Sequence, residues 1–121
     1  MQYLLLIYNS EKAWDEMSEA ERNGHFGGYM KFTEDIKKSG HYRAGEALQP
    51  VRTATTVRVR GGKTQTTDGP FAETREQLGG YYLIEAKDLD EATKIAARIP
   101  DAGIGNGGIE VRPIMVFDQP M

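Results

Sequence analysis

Apolar positions along the chain fall into short solid runs and longer periodic ones. Tyr3 to Tyr8 is apolar at every position, and Tyr81 to Ala86 and Ile109 to Phe117 each contain a similar run. Short apolar stretches of this kind, bounded by turn-forming or polar residues, predict buried strands. Tyr42 to Leu48 reads as a further strand. Thr55 to Arg60 and Lys63 to Thr67 alternate Thr and Val with Arg and Gln about Gly61-Gly62, the pattern of a hairpin. Two segments have helical periodicity instead. Ser18 to Ser39 opens on an S-x-x-E capping box (Ser18, Glu21), carries Lys37 and Lys38 in its last turn and meets Gly40 at its end. Gly24, Gly27 and Gly28 weaken this helix by about 1 kcal/mol each against alanine, which suggests that it lies close against a neighbour. A second helix starts at Asp88 with Glu91, sets Leu89, Ala92, Ala96 and Ile99 on one face, and stops at Pro100. The following DAGIGNGGIE is a glycine-rich loop.

Without the hairpin, the order is strand, helix, strand, strand, helix, strand. This is the split βαβ plan, an α+β, ferredoxin-like antiparallel sheet with both helices on one face and an inserted hairpin. The first strand adds a constraint. Tyr3, Leu5 and Ile7 point one way, Leu4, Leu6 and Tyr8 the other, and both sets are apolar. A sheet apolar on both faces needs a second cover, and the chain has no spare helix to provide one. A second copy of the same sheet, packed about a two-fold axis, would do so. The expected assembly is therefore a homodimer forming a dimeric α+β barrel. The alternative is a semi-exposed face carrying a few tyrosines and Met115.

At 121 residues the chain fits one domain, residues 1–121, able to bury one core without staples. It has no cysteine, which removes disulfides and thiolate metal sites, and nothing in it suggests secretion. The apolar start is too short for a membrane span and has no basic leader. The net charge of −3, with acids and bases mixed along the chain, argues against direct nucleic-acid binding. A cytoplasmic protein with no membrane association is expected.

Candidate chemistry gathers around one histidine and one loop. Steps of four, three and four from His25 reach Tyr29, Phe32 and Ile36, so all four share the sheet-facing stripe of the first long helix. Such a histidine is either a hydrogen-bonded structural residue or, given a carboxylate opposite, a proton-transfer group. His41 falls just past the helix end and reads as exposed. Asp68 in TDGPF is one candidate carboxylate, although Asp before Gly also suits an Asx turn. The polar stretch PFAETREQLGG is long for a connection and reads as a lid at the barrel mouth, or as part of the dimer interface. In it Phe71 would be a buried anchor, Glu73 and Arg75 would offer charge, and Gly79-Gly80 would allow close backbone approach. Arg75 could clamp an anionic group. Glu110 and Arg112, two apart on one strand, would pair with each other or with Arg58, or anchor a ligand. With two histidines and no cysteine no metal site is proposed. The glycine run follows a helix instead of opening one, so no dinucleotide or phosphate loop is present, and no serine stands in a nucleophile elbow.

GEALQP (45–50), TATTVR (53–58), TDGPFAETREQLGGYYLIE (67–85), DLDEA (88–92) and EVRPIM (110–115) resemble the DGPF branch of the YCII-related family. That resemblance covers nearly the whole chain. It implies a ferredoxin-like dimeric α+β barrel in a small bacterial family without a firmly assigned activity. It implies a recurrent histidine and aspartate, which carry over to His25 and Asp68. Shorter YCII proteins show two histidines close together on the first helix, where this chain has only His25. Some DGPF-type domains are fused to sigma factors, which implies a link to transcription initiation.

Two function classes stay open. One is a cofactor-independent enzyme acting on a small polar metabolite, with His25 as general acid or base, Asp68 orienting it, and Arg75, Glu73, Tyr29 and Arg112 holding the ligand. The other is a non-catalytic small-molecule-binding or regulatory module. An enzyme needs His25 to open on a pocket; a module would bury it against the sheet.

Overall fold

A computed structural model describes residues 1–117. The first strand, β1 (Gln2–Asn9), leads into a six-residue helix, α1 (Glu11–Glu16), and then the long helix α2 (Glu19–Lys38). Strand β2 (Tyr42–Ala47) and a short 3₁₀ turn precede the hairpin strands β3 (Thr55–Arg60) and β4 (Lys63–Asp68). Strand β5 (Gln77–Glu85), helix α3 (Leu89–Ala96), a 3₁₀ turn (Pro100–Gly103) and strand β6 (Gly108–Pro113) complete the order.

The main sheet has the order β2-β5-β1-β6, with every neighbouring pair antiparallel. Once the hairpin is set aside, this is the ferredoxin-like arrangement expected from the element order. The hairpin forms its own two-stranded sheet in unbroken two-residue-turn register, Thr55 opposite Asp68 and Arg60 opposite Lys63.

Local chemistry explains the helix limits. Ser18 accepts from the Glu21 amide while Glu21 accepts from the Ser18 amide, both at 3.1 Å, so two orphan donors at the α2 start are satisfied reciprocally. These bonds also hold the Glu21 carboxyl below its usual value, the backbone donor at Ser18 contributing most. At the other end Gly40 takes φ 82°, the left-handed turn that a helix stop requires. Asp88 caps α3 by accepting from the Glu91 amide at 2.9 Å.

The core lies between the helices and one sheet face. Tyr3, Leu5 and Ile7 from β1 and Tyr82 and Ile84 from β5 meet Phe32 and Ile36 of α2, and Ala92, Ile95 and Ala96 of α3. The opposite face carries Leu4, Leu6, Tyr8, Tyr81 and Leu83, all half-buried within one chain. Among the described residues no helix is long and apolar enough to cross a membrane.

Several expectations change. Strand β5 begins at Gln77, four residues before the solid apolar run, so the polar loop shrinks to residues 69–76. Phe71 is no buried anchor: it is 79% exposed, with the Arg58 guanidinium 5.2 Å from its ring. The left-handed Gly69 turns the chain off the hairpin with nothing beneath Phe71 to receive it. On α3 the buried face contains Ile95, while Leu89 in the first turn stays exposed. The last strand stops at Pro113, with one further bond from the Ile114 amide to Gln2 O at 2.9 Å where β1 itself begins, and Met115 to Phe117 are exposed. His41 is bonded on both ring nitrogens, to Ser39 Oγ at 2.7 Å and to Glu91 Oε1 at 3.1 Å, because the end of α2 packs beside the start of α3.

The two sides of α2 should respond differently to truncation. Ile36 is fully buried and Met30 is 73% exposed. Ile36→Ala is expected to lower unfolding free energy by about 3 kcal/mol, the usual range for a buried aliphatic residue. Met30→Ala should change it by less than about 0.5 kcal/mol. Urea unfolding of both variants checks the pair.

Candidate functional site

Asp101 is the one buried charged residue among the described residues, at 4% exposure. It sits in the 3₁₀ turn after α3, directly behind the Pro100 that ends the helical pattern. Its Oδ2 takes three donors: Tyr29 O–H at 2.5 Å, His25 Nε2 at 3.1 Å and Asn9 Nδ2 at 3.3 Å. A carboxylate held away from water needs such partners, and here they come from the end of β1 and from two turns of α2.

Two glycines make the convergence possible. At Gly28, a Cβ would stand 3.2 Å from Pro100 Cγ, so this position lets α2 lie against the turn that carries Asp101. At Gly107, a Cβ would meet Tyr8 O at 2.7 Å and Asp101 O at 3.2 Å, so only glycine lets the loop close over β1 and the turn. The weak glycines of α2 thus have their neighbour at Gly28; Gly24 and Gly27 face open space.

The geometry fixes which ring nitrogen meets the acid: a carboxylate oxygen accepts, so His25 turns Nε2–H to Asp101 and leaves Nδ1 on the other side of the ring. Neither His25 Nδ1 nor Asp101 Oδ1 has a hydrogen bond among the described residues. No buried side-chain nitrogen or oxygen there lacks a partner, so both atoms reach open space. The His25 side chain is otherwise enclosed, 8% exposed, with the rings of Trp14 at 5.6 Å and Tyr29 at 5.2 Å. Burial, together with the Asp101 carboxylate, pushes the Tyr29 phenol well above its ordinary value, so it stays a neutral donor. Burial likewise raises Tyr82, whose hydroxyl meets Thr33 Oγ1 at 2.6 Å.

His25 and Asp101 stand between two clefts of about 450 Å³ each. The first runs between α2 and the β2 edge, walled by Trp14, Phe26, Tyr29, Tyr42 and Tyr82. The second lies against α1 and the glycine-rich loop and includes Lys12, Arg75 and Glu76. Trp14 keeps its place because α1 is tied down at its first residue: the Glu11 amide donates to Gln77 Oε1 at 3.0 Å, and the Glu11 carboxylate accepts from the Val51 amide at 3.0 Å.

The residues expected from sequence divide accordingly. His25 and Tyr29 are in the site, and Arg75 lines the second cleft. Asp68 is not brought to His25. It ends β4 on the exposed hairpin, opposite Thr55, and lines neither cleft; the carboxylate at the imidazole belongs to Asp101. No Asx turn holds Asp68 either, since the residue two places on is Pro70, which has no N–H to donate, and the Gly69 amide goes to Ala54 O at 2.8 Å. Glu73 is exposed in the loop and Arg112 faces the open side of the sheet opposite Leu4; neither lines a cleft. Glu110 and Arg112 make no ion pair among the described residues, and Arg58 belongs to the separate hairpin sheet. Asp101, Asn9 and Trp14 were missed. An acid placed between a helix-ending proline and a run of glycines was the available signal for Asp101, and Ser10 as a cap was the one for α1.

The model of the YCII-related domain matches residues 1–118. The chain belongs to the YCII-related family. An uncharacterised protein of Rhizobium meliloti (strain 1021) is 35% identical over 117 residues, covering 97% of this chain and 94% of that protein. The two chains are thus similar along nearly their whole lengths, and the relative's name assigns no activity.

The Tyr29 phenol gives a pH signature. Its folded value lies above the ordinary phenol value of about 10, so its contribution to stability is complete below that pH and is lost as pH rises beyond it. The wild-type melting temperature should therefore fall between about pH 10 and about pH 12, and Tyr29→Phe should fall less steeply. Thermal melts of both proteins across that range check the sign.

Proposed function

We propose that this YCII-related protein is an enzyme that moves a proton on a small metabolite, with His25 as general base and Asp101 as its positioning residue. The observation that carries the reading is the single engaged ring nitrogen: Nε2 is held by a buried carboxylate, while Nδ1 has no hydrogen bond among the described residues and the ring lines both clefts. A substrate C–H or O–H placed at Nδ1 would give up its proton there. Asp101 then stands against the positive charge that the ring gains, and the proton returns to the product from the same nitrogen. Tyr29 and Asn9 hold Asp101 in place, and the rings of Trp14 and Tyr29 pack beside the imidazole. Placement in the DGPF branch of the family rests on TDGPFAETREQLGGYYLIE.

Deuterium exchange tests this without knowing the physiological substrate. Wild-type protein is incubated in D₂O with a panel of small ketones, keto acids and lactones, and exchange is followed by proton NMR. At least one compound should exchange above buffer. His25→Gln should slow it by about a hundredfold, within the usual range for a lost general base. Asp101→Asn should slow it less. Absence of exchange with every compound would overturn the catalytic reading and leave a ligand-binding module.

The working form is proposed to be a homodimer, with the apolar sheet faces packed together to close an α+β barrel. Leu4 opposite Leu83 and Leu6 opposite Tyr81 form a continuous apolar patch on the face away from the helices, which supports this assembly. Light scattering at micromolar concentration should report twice the chain mass. Leu6→Glu should give monomer, because the dimer would bury an unpaired charge. A wild type that runs as a monomer refutes the barrel.

A further inference from the structure

The two clefts that meet at His25 differ in charge. The first contains Glu11, Glu46 and Asp101 as its ionisable acids and no lysine or arginine. Its walls are mainly aromatic. An anionic group placed there would face carboxylates and no cation; a planar apolar body would find ring faces and edges on several sides. The second cleft carries Lys12 and Arg75. Neither has a carboxylate within ion-pair distance among the described residues, although Glu76 and the shared Asp101, already engaged by its three donors, line the same cleft. Its floor includes the turn Ile104–Gly107, closed by the Gly107 amide on Ile104 O at 3.2 Å. The amides of Gly105 and Asn106 take no backbone acceptor there, which leaves them as further donors.

We propose that the substrate of this site is a cyclic or aromatic molecule bearing one anionic group, a carboxylate or phosphate, and that it spans both clefts. Its apolar body lies in the first cleft, and its anion meets Lys12 and Arg75 in the second. The atoms between them pass His25 Nδ1, where the proton is taken. The inference rests on His25 being the reacting group, and it replaces the expectation of a small polar metabolite. The two sides of the imidazole then act differently on the ligand. The aromatic wall supplies binding without charge, and the cationic wall sets which end enters first.

The single tryptophan makes the proposal measurable, since Trp14 lines both clefts. Its fluorescence is titrated with 4-phenylbutyrate, 4-phenylbutan-1-ol and 4-phenylbutylamine, three molecules alike except for the terminal group. The acid should bind at least about fivefold more tightly than the alcohol, the gain expected from partly exposed ion pairs. In Lys12→Gln/Arg75→Gln that advantage should disappear while the alcohol binds as before. Tyr42→Ala should weaken acid and alcohol alike. Equal affinities for the three compounds, tighter binding of the amine, an acid preference that survives the double substitution, or no binding at millimolar concentration would each overturn the proposal. The titration uses no turnover, so loss of this result with deuterium exchange intact defeats only the assignment of the substrate. The reverse outcome defeats only the catalytic reading.

Discussion

The burial of one carboxylate organises the cleft-bearing end of this molecule. Asp101 is almost fully withdrawn from water, and a charge in that position is tolerated only with donors around it. Asn9, His25 and Tyr29 supply them, from a strand end and from two turns of a helix far off in sequence. Their convergence requires the helix to press on Pro100, which Gly28 permits, and the glycine-rich loop to fold over Asp101, which Gly107 permits. The histidine's orientation, the neutrality of the Tyr29 phenol and the position of the clefts all follow from satisfying that charge.

The two faces of the sheet play different parts. One closes a core with α2 and α3 around Leu5, Ile36 and Ile84, each fully buried. The other carries the apolar patch of Leu4, Leu6, Tyr81 and Leu83, with Glu110 and Arg112 beside it, and it is this patch that the homodimer proposed above would withdraw from water. The site lies at the margin between helix and sheet, where α2 ceases to bury its stripe completely: Ile36 and Phe32 are in the core, while Tyr29 and His25 lead out of it. The same helical face thus packs the core at one end and lines the clefts at the other. The small helix α1 depends on this margin as well, since the Glu11 contacts to Gln77 and Val51 hold Trp14 over the imidazole.

Much of the frame was legible because its causes are local. The solid apolar run of Tyr3 to Tyr8, the Ser18–Glu21 box, Gly40 at the helix end and the Gly61-Gly62 turn each impose their geometry within a few residues, and each stands where the pattern placed it. The stripe from His25 to Ile36 was legible for the same reason, a fixed helical period. Errors arose where a segment's conformation depends on distant contacts. Strand β5 extends back through Gln77 to Gly80 because β1 and β2 offer it partners, which no feature of those residues announces. Phe71 is apolar yet exposed, since burial needs a receiving surface and the hairpin does not provide one within the chain.

For this protein, sequence by itself determined the α+β class, the strand order implied by two helices on one face, and the histidine on the sheet-facing stripe. Only the tertiary structure decided which acid meets that histidine. Asp68 and Asp101 both stand in turn-forming, glycine-flanked segments, and neither carries a local sign of its partner. The choice was made by the path of the chain between two residues 76 positions apart, which returns the Pro100 turn to α2 and leaves the hairpin outside. A helix period is set by neighbours along the chain; the partners of a buried carboxylate are set by which acid the fold withdraws from water, and that is a property of the whole arrangement.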